Sequence, residues 1–354
     1  MANAIGSRGI PVPRPLSEIE EVAIPKTDGN GVIRLLAIFM VHHVRLIVGM
    51  VPWLGFLLLK YPGKVTAVLA AYWGVLRKFE WFNRLVCQAV IYGCSDGPRF
   101  MRAQREVYSV EGGRKLMICV HPHGILLDPW FNLVARGTRL GSDSSNCSAD
   151  GTMDLLDGLK VEFCFAPAVA WYPLHGETRK YHAPATPSAI RGVWKRGRTP
   201  VLCPGGFSEA VYTGTAGRYE HSYLHQRMGF IKLAIEQNAD IVPTYTFGSD
   251  AMYWTWDVGR HGRAIRAQKI GVPMVVWSGK MGTNVPLSEE TVTVSFDPFP
   301  TSKYTLEEVA EAHADYLTYL RTCFDTYKGC CEHTKDKELV FVGKSKPPAG
   351  YARL

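Results

Sequence analysis

Two histidines and an aspartate form the first group of residues that can do chemistry. The run His-Pro-His-Gly at residues 121–124 follows a β-rich segment, residues 115–120, and four residues separate His123 from Asp128. A histidine at the end of a strand can take a proton from a hydroxyl, and a nearby carboxylate can orient its ring. An ordinary turn with a capping histidine is the alternative. A metal site is less favoured, because no cysteine or carboxylate cluster with ligand spacing accompanies the histidines.

A glycine-rich turn forms the second group. Pro-Gly-Gly-Phe-Ser-Glu-Ala at residues 204–210 follows a short apolar run, residues 200–203. Gly205 and Gly206 let the backbone expose N–H groups that can hold a phosphate or a developing oxyanion, and Glu209 lies just beyond them. The run lacks the second glycine of the Gly-x-Ser-x-Gly nucleophile elbow, which disfavours a serine hydrolase. A plain glycine turn is the alternative.

A third run, Arg-Met-Gly-Phe-Ile-Lys-Leu-Ala at residues 227–234, adds two cations. Arg227 and Lys232 can each bind a phosphate, but five residues apart on a helix they do not share a face. We therefore expect at most one of them to reach a bound anion. Charges on a helix surface are the alternative for either residue alone.

The segments that must position these groups alternate between strand and helix patterns. This order predicts an α/β fold, with a mostly parallel sheet and helices on both faces. In such sheets, reactive groups gather at the carboxyl ends of the strands. The candidate strands are residues 115–120, 161–165, 200–203, 241–247, 273–277 and 291–296.

Helix start and stop signals lie between these strands. Thr186 and Pro187 predict a helix through Lys195 that stops at Gly197. A second helix is predicted over residues 226–237, ending at Asn238. Thr305 and Glu308 form a capping-box pattern at the start of a third helix. Its expected apolar stripe consists of Leu306, Ala310, His313, Leu317, Leu320 and Phe324.

The amino-terminal third is strongly apolar. Residues 32–59 are almost continuously hydrophobic, with Arg45 near the middle, and residues 65–76 form a second, shorter apolar run. A membrane span needs ~20 apolar residues, so the region predicts a hydrophobic membrane hairpin. A buried, soluble helical pair is the alternative. The chain is thus divided into a flexible tail at 1–31, a membrane-associated region at 32–92, a catalytic domain at 93–335 and a carboxyl-terminal tail at 336–354.

Charge and cysteine usage limit the partners and the compartment. A formal net charge of +8 and a pI near 9.0 indicate an anionic partner, which could be nucleic acid, a phosphorylated small molecule or a lipid surface. The basic residues form no zinc-finger or RNA-binding pattern, so nucleic acid is not expected. The nine cysteines have no regular spacing, and no cleavable signal peptide precedes the apolar region. Both features favour a reduced, cytosolic face.

Taken together, the three runs resemble the diacylglycerol acyltransferase type 2 family. HPHG at 121–124, PGGFSEA at 204–210 and RMGFIKLAIEQNADIVPTYTFG at 227–248 occur in that family's order and at about its spacing. The resemblance covers roughly residues 110–330, and the apolar amino-terminal region is similar to the family's membrane hairpin. It implies a glycerolipid-acyltransferase-like fold. It also implies an endoplasmic reticulum enzyme that transfers a fatty acyl group from acyl-CoA to a neutral lipid alcohol, most often diacylglycerol, to give triacylglycerol.

The sequence departs from the family pattern at two places. The upstream Tyr-Phe-Pro of animal and fungal members is absent, and residues 91–94 read Ile-Tyr-Gly-Cys instead. The pair His123 and Asp128 resembles the His-x-x-x-x-Asp signature of the wider glycerolipid acyltransferases. The Glu-Gly-x-Arg run of lysophosphatidate-type enzymes is not seen, which favours a neutral acceptor.

The resemblance and the chemistry of the residues together suggest roles for the site. His123 is the expected general base, and either Asp128 or Glu209 is its partner. His121 is expected to have a structural role or to donate a hydrogen bond that supports the catalytic groups. The reversed assignment, with His121 as the base, stays open. N–H groups near Gly205 and Gly206 are the expected oxyanion donors. The residues expected to line the substrate site are Pro122, Gly124, Gly205, Gly206, Arg227, Gly229, Phe230 and Lys232.

The expected partners follow from this reaction. Acyl-CoA is a co-substrate, a neutral lipid such as diacylglycerol is the acceptor, and no metal or other cofactor is implied. Membrane lipids are further partners, and association into a homo-oligomer is left open. The expected location is the endoplasmic reticulum membrane, with the catalytic domain facing the cytosol, and lipid droplets are a second location. The alternatives are acyl transfer to monoacylglycerol or a long-chain alcohol, or a non-catalytic lipid-binding membrane protein.

Overall fold

The fold is taken from a computed structural model, which describes residues 8–22, 59–75, 98–102, 115–125, 152–153, 159–167, 182–214, 217–256, 258–270, 274–280, 286–287 and 290–343. Asp128 lies outside these ranges. Of the predicted membrane-associated region, only residues 59–75 are described, so the hairpin is mostly outside them. Within the described part, no helix has the length and apolar character that crossing a membrane requires.

The strands follow the short apolar runs of the sequence. In chain order they are β1 Glu20–Val22, β2 Pro98–Arg102, β3 Lys115–His121, β4 Thr152–Met153, β5 Leu159–Phe165, β6 His182–Pro184, β7 Thr199–Leu202, β8 Tyr219–Ser222, β9 Ala239–Phe247, β10 Trp254–Thr255, β11 Trp277–Ser278, β12 Thr291–Ser295 and β13 Glu338–Phe341. Five of the six predicted strands are confirmed to within two residues at each end. The prediction of a strand at 273–277 is wrong, because residues 274–276 form none and only the short β11 follows.

Nine strands form one large, mostly parallel sheet. Its order is β1-β2-β12-β9-β3-β7-β5-β4, and β6 pairs with β5. The central strands β9, β3, β7 and β5 run parallel to one another. Antiparallel pairs occur between β12 and β9, and at the outer pairs β1 with β2 and β4 with β5. The α/β prediction with a mostly parallel sheet is therefore confirmed.

The helices begin and end largely where the sequence signals lie. They are α1 Pro62–Gly74, α2 Pro187–Lys195, α3 Gly206–Tyr212, α4 Gly229–Gln237, α5 Arg260–Ile270 and α6 Val309–Tyr327. The Thr186 side chain accepts a hydrogen bond from the N–H of Ala189 and caps α2. Asn238 ends α4 in the left-handed conformation. Thr305 and Glu308 form the predicted capping box ahead of α6.

Two helix details differ from the prediction. Helix α4 begins at Gly229 rather than at residue 226. The buried face of α6 includes His313, Leu320 and Phe324 as expected, but Leu306 lies before the helix and is exposed. The rest of this face is formed by Ala312, Tyr316, Tyr319, Cys323 and Tyr327. Of the predicted stripe, Ala310 is exposed and Leu317 is half-buried. Tyrosines, which carry a polar hydroxyl on a large apolar ring, form part of the buried face at positions outside that stripe.

The hydrophobic core has a helical side and a strand side. On one face of the sheet, α2, α4 and α6 bury Trp194, Phe230 and Phe324 against strand residues such as Met117 and Tyr245. On the other face, the buried cluster contains only strand residues in the described part of the chain. We predicted helices on both faces of the sheet, and the described residues place helices against one of them.

Both ends of the chain contribute to sheets beyond the boundaries that we predicted. Strand β1 lies within the expected tail at 1–31 and extends the edge of the main sheet. Strand β13 lies within the expected tail at 336–354 and pairs in parallel with β8. The folded body therefore includes residues on either side of the predicted catalytic domain.

Candidate active site

The two predicted loops meet because their strands are neighbours. Strands β3 and β7 are parallel and adjacent, with Cys119 opposite Leu202. Their carboxyl ends therefore face the same edge of the sheet, which places the 121–124 loop beside the 204–210 turn. Strand β9, on the other side of β3, ends at the same edge.

Glu209 holds the two loops together from inside. It lies in the first turn of α3 and is completely buried. Its Oε2 accepts a hydrogen bond from the backbone N–H of His123 at 2.7 Å. Its Oε1 accepts from the Ser222 hydroxyl at 2.5 Å and from the Tyr223 N–H at 2.8 Å. The carboxylate therefore fixes the backbone that carries His123 to α3 and β8.

Burial and hydrogen bonding shift the pKa of the Glu209 carboxyl in opposite directions. Burial raises the pKa of Glu209, and the donors from Ser222, His123 and Tyr223 partly oppose the rise. A buried carboxylate costs less when several donors satisfy its oxygens. The arrangement makes Glu209 a positioning group for the His123 backbone.

Gly205 provides the space that Glu209 needs. A Cβ at position 205 would lie 2.3 Å from the Glu209 Cδ, which no real side chain tolerates. Gly206 has φ of +56°, in the left-handed region that favours glycine. Its N–H donates to the Cys203 carbonyl at 3.2 Å. The N–H groups of Gly205 and Gly206 also act on the Cys203 thiol, so the oxyanion role of these two glycines stays a prediction.

The geometry of His123 suits a base. Its Nδ1 lies 2.9 Å from the Gly124 carbonyl oxygen. Because a carbonyl can only accept, this contact assigns the ring proton to Nδ1 and leaves the lone pair on Nε2. Burial lowers the pKa of His123, and the bond to Gly124 partly opposes the fall. The ring is therefore neutral near pH 7.

His121 has different surroundings. It is completely buried, and its Nε2 lies 2.9 Å from the Tyr316 hydroxyl on α6. Tyr316 packs edge-on against Phe230 and Phe299. Burial lowers the pKa of His121 to about 3. His121 and Phe230 thus belong to the aromatic core beneath the site.

The two cations of the third run lie in different places. The Arg227 guanidinium is 5.5 Å from the ring centroid of Tyr223, whose N–H donates to Glu209. Lys232 is exposed on α4 and lies 4.0 Å from Glu236. Gly229 is the first residue of the same helix. Arg227 is therefore connected to the site through Tyr223, whereas Lys232 lies on the outer surface.

Sequence reasoning missed three residues of the site. Ser222 and Tyr223 bind Glu209, and Tyr316 binds His121. Strand β8, which ends at Ser222, was not predicted, although its burial alternates as a strand requires. Tyr316 lies on the buried face of α6.

A serine nucleophile finds no support at this position. The Ser208 hydroxyl is buried and donates to the Ala264 carbonyl at 3.1 Å, so it is not presented as a nucleophile. Within the described ranges, no three histidine, cysteine or carboxylate side chains form a group that could hold a metal ion.

A second buried charge cluster lies next to the site. Glu220 on β8 is buried, and burial raises the pKa of its carboxyl to about 7, with the positive charge of Lys337 partly opposing this. Lys337 forms an ion pair with Asp250, which follows β9. Glu220 is therefore a carboxyl that changes charge near neutral pH.

The stability of the protein should depend on this carboxyl. Between its ordinary value of 4.5 and about 7, Glu220 binds more protons in the folded than in the unfolded chain. The free energy of unfolding should therefore fall as pH rises through this window. In denaturant titrations we expect Glu220→Gln to reduce that fall, and the exposed Glu307→Gln to leave it unchanged. Equal pH dependence in Glu220→Gln and wild type would contradict this.

The fold and site define a class: an α/β protein with a tautomerically fixed histidine at the end of a central strand. The family model for diacylglycerol acyltransferase matches residues 100–342, more than half of the chain. The chain belongs to the diacylglycerol acyltransferase family.

Relatives in this family carry different acceptor names. The chain is 29% identical to diacylglycerol O-acyltransferase 2A of Umbelopsis ramanniana, over 41% of this chain and 45% of that protein. It is 30% identical to mouse acyl-CoA wax alcohol acyltransferase 2, over 65% of this chain and 70% of the relative. It is 23% identical to human 2-acylglycerol O-acyltransferase 3, over 65% of this chain and 69% of that relative. The chain thus spans less than half of the fungal relative. No solved structure matches it.

Proposed function

We propose that the protein is an O-acyltransferase that moves a fatty acyl group from acyl-CoA to the hydroxyl of a neutral lipid, with diacylglycerol as the first candidate. The observation that carries the proposal is His123, whose Nδ1 is engaged by Gly124 and whose backbone is held by Glu209. Membership of the diacylglycerol acyltransferase family supports the reaction type.

The proposed reaction is a direct attack without an acyl-enzyme. His123 Nε2 takes the proton of the acceptor hydroxyl while the hydroxyl oxygen bonds to the thioester carbonyl carbon. N–H groups near Gly205 and Gly206 stabilise the negative charge that develops on the carbonyl oxygen. The carbon–sulfur bond then breaks, and the CoA sulfur takes the proton from the imidazolium. The reaction ends with an ester, free CoA and neutral His123, and the proposal includes no resident cofactor.

The residues around the site favour an uncharged acceptor. Neither the 121–128 segment nor the 204–210 turn contains a lysine or an arginine, and Glu209 adds a carboxyl at the centre. A phosphorylated acceptor would need its charges paired when it leaves water. The names of the relatives, which include diacylglycerol, 2-acylglycerol and wax alcohol, support the same class.

A competition assay tests the acceptor. Labelled acyl-CoA is supplied to the membrane-reconstituted protein with equal amounts of diacylglycerol, monoacylglycerol, long-chain alcohol and lysophosphatidate. We expect diacylglycerol to be acylated fastest and lysophosphatidate slowest. Preference for monoacylglycerol or the alcohol would reassign the acceptor within the neutral class. Preferential acylation of lysophosphatidate would overturn the neutral assignment.

The pH profile of the reaction should report the His123 environment. Only neutral His123 can act as the base, and burial lowers its pKa below the ordinary value of 6.5. We therefore expect the acid limb of kcat/KM to have its midpoint below pH 6.5, because kcat/KM reports ionisations of the free enzyme. The residual activity of His123→Ala should lack this limb. A midpoint above 6.5 would count against the assignment.

The proposed location is the endoplasmic reticulum membrane with the folded domain facing the cytosol, and lipid droplets are a second site. The apolar run at 32–59 supports membrane attachment. The cysteines of the described residues are all free thiols, which fits a reducing compartment.

A further inference from the structure

Four large apolar side chains next to the site are exposed to solvent. Trp254 is 50% exposed, Trp256 51%, Val258 72% and Val276 48%. We refer to these four residues as the tryptophan patch. Exposed apolar residues that occur singly need no explanation, but a contiguous group beside a cationic surface indicates a binding surface.

Backbone hydrogen bonds make the patch contiguous. Strand β10 pairs with β11, and the Trp256 N–H donates to the Val276 carbonyl at 2.9 Å. The Arg263 guanidinium binds the carbonyls of Trp256 and Val258. Between the two tryptophans, Thr255 is buried and donates to the Thr213 carbonyl at 2.9 Å. Because side chains alternate along an extended segment, Trp254 and Trp256 lie on the outer face together.

The helix that follows the patch carries only positive charges. Helix α5 contains Arg260, Arg263, Arg266 and Lys269 and no acidic residue. Of these, Arg266 and Lys269 are exposed. Tryptophans are favoured at the headgroup level of a bilayer, and each exposed cation adds attraction to anionic lipids. The exposed tryptophans and the exposed cations together fit an anionic phospholipid surface.

The patch is joined directly to the active site. Ile125, which follows the 121–124 loop, is buried in one cluster with Met252 and Tyr253, and Trp277 packs against that cluster. Helix α5 contacts α3 through the hydrogen bond from Ser208 to the Ala264 carbonyl. A surface that binds the tryptophan patch therefore lies close to the His123 loop and to the helix that carries Glu209.

We propose that the tryptophan patch and the exposed cations of α5 dock onto the surface of an anionic phospholipid bilayer. This contact is separate from the apolar region at 32–92, and it holds the His123 loop at the level where a lipid hydroxyl can enter. The docking itself rests on the exposed surface. Only its use in acyl transfer rests on the proposed function.

Quenching by brominated lipid tests the docking directly. The full chain is reconstituted into vesicles of phosphatidylcholine and phosphatidylserine, with and without bromine on the acyl chains, and tryptophan emission is measured. We expect brominated lipid to lower the emission of the wild type. Trp53, Trp73 and Trp81 in the 32–92 region are expected to be quenched as well. Trp254→Phe with Trp256→Phe should therefore remove a measurable part of the loss, and the buried Trp194→Phe should not. If the double variant loses as much emission as the wild type, Trp254 and Trp256 do not contact lipid and the proposal is overturned. This includes the case in which another protein surface covers the patch.

Charge reversal tests the cations independently. Arg266→Glu with Lys269→Glu should lower the quenching of Trp254 and Trp256, as should replacing phosphatidylserine by phosphatidylcholine. The matched control is Lys160→Glu with Lys195→Glu, which reverses two exposed lysines elsewhere on the body. If neither the charge reversal nor the removal of phosphatidylserine changes the quenching, the role of α5 is overturned. Docking without acyl transfer in the wild type would refute the proposed function alone, and acyl transfer without quenching would refute the docking alone.

Discussion

Replacing His123 by alanine is expected to lower the rate of acyl transfer by at least ~100-fold, the lower range of what a positioned general base contributes. The structure gives the reason, because Gly124 engages Nδ1 and leaves Nε2 to accept the proton. The rate is measured with labelled acyl-CoA and diacylglycerol in reconstituted vesicles. Expression and vesicle insertion should match the wild type, because the Glu209 bond is to the backbone N–H, which the variant keeps.

His121→Ala is the informative comparison for this result. His121 is completely buried against Tyr316, so its loss should lower the melting temperature and affect activity through stability. Tyr316→Phe removes the same hydrogen bond with little change in volume. Should His123→Ala keep more than half of the activity, His123 is not the base. A ~100-fold loss in a fully folded His121→Ala would transfer the role to His121.

The second large effect is expected at Glu209. Glu209→Ala leaves three strong buried donors, on His123, Ser222 and Tyr223, and the weak Cys203 thiol donor without their acceptor. Each unsatisfied buried group costs about 1–3 kcal/mol, so we expect the free energy of unfolding to fall by roughly 2–5 kcal/mol. Activity should fall as well, because the His123 loop loses its attachment. Denaturant unfolding and the acyl-transfer assay measure the two effects.

Gly205→Ala should reproduce the Glu209 phenotype without replacing any polar side chain. Its Cβ would meet the Glu209 carboxylate at 2.3 Å, and the carboxylate must then leave its three donors. Gly329→Ala is the matched control, because a Cβ there meets nothing within 4 Å. If Gly205→Ala is as stable and active as Gly329→Ala, the positioning role of Glu209 is refuted.

The pairing of the two motif loops could be predicted from the sequence. Both runs follow short β-rich segments, and the α/β alternation implies that such segments are parallel strands whose ends share an edge. Thr186, Asn238 and the Thr305 capping box also gave helix ends that the structure shows. These signals depend on residues a few positions apart, so they can be read from the sequence without knowledge of the fold.

The groups that complete the site depend on distant contacts. The sequence indicates Glu209 as one of two candidate partners for the His123 ring, but the hydrogen bond that the structure shows is to the His123 backbone. Ser222 comes from β8, whose partner β13 lies more than a hundred residues further along the chain. Tyr316 reaches His121 from α6 across 195 residues. No local pattern indicates such pairings.

The strand predicted at 273–277 shows a related limit. Its apolar residues resemble those of a buried strand, yet Val276 belongs to the exposed tryptophan patch and is itself half exposed. An apolar run alone cannot distinguish a core strand from a surface that binds an apolar partner. The error therefore occurred at the segment that carries the proposed membrane contact.

The most direct test of the central claim is a product analysis of wild-type protein and His123→Ala side by side. Each is reconstituted in vesicles that contain diacylglycerol and receives labelled acyl-CoA, and labelled lipids are separated while released CoA is counted. We predict labelled triacylglycerol from the wild type, one CoA released for each ester formed, and a loss of both in His123→Ala. Labelled fatty acid as the sole product, or equal triacylglycerol from both proteins, would contradict the account.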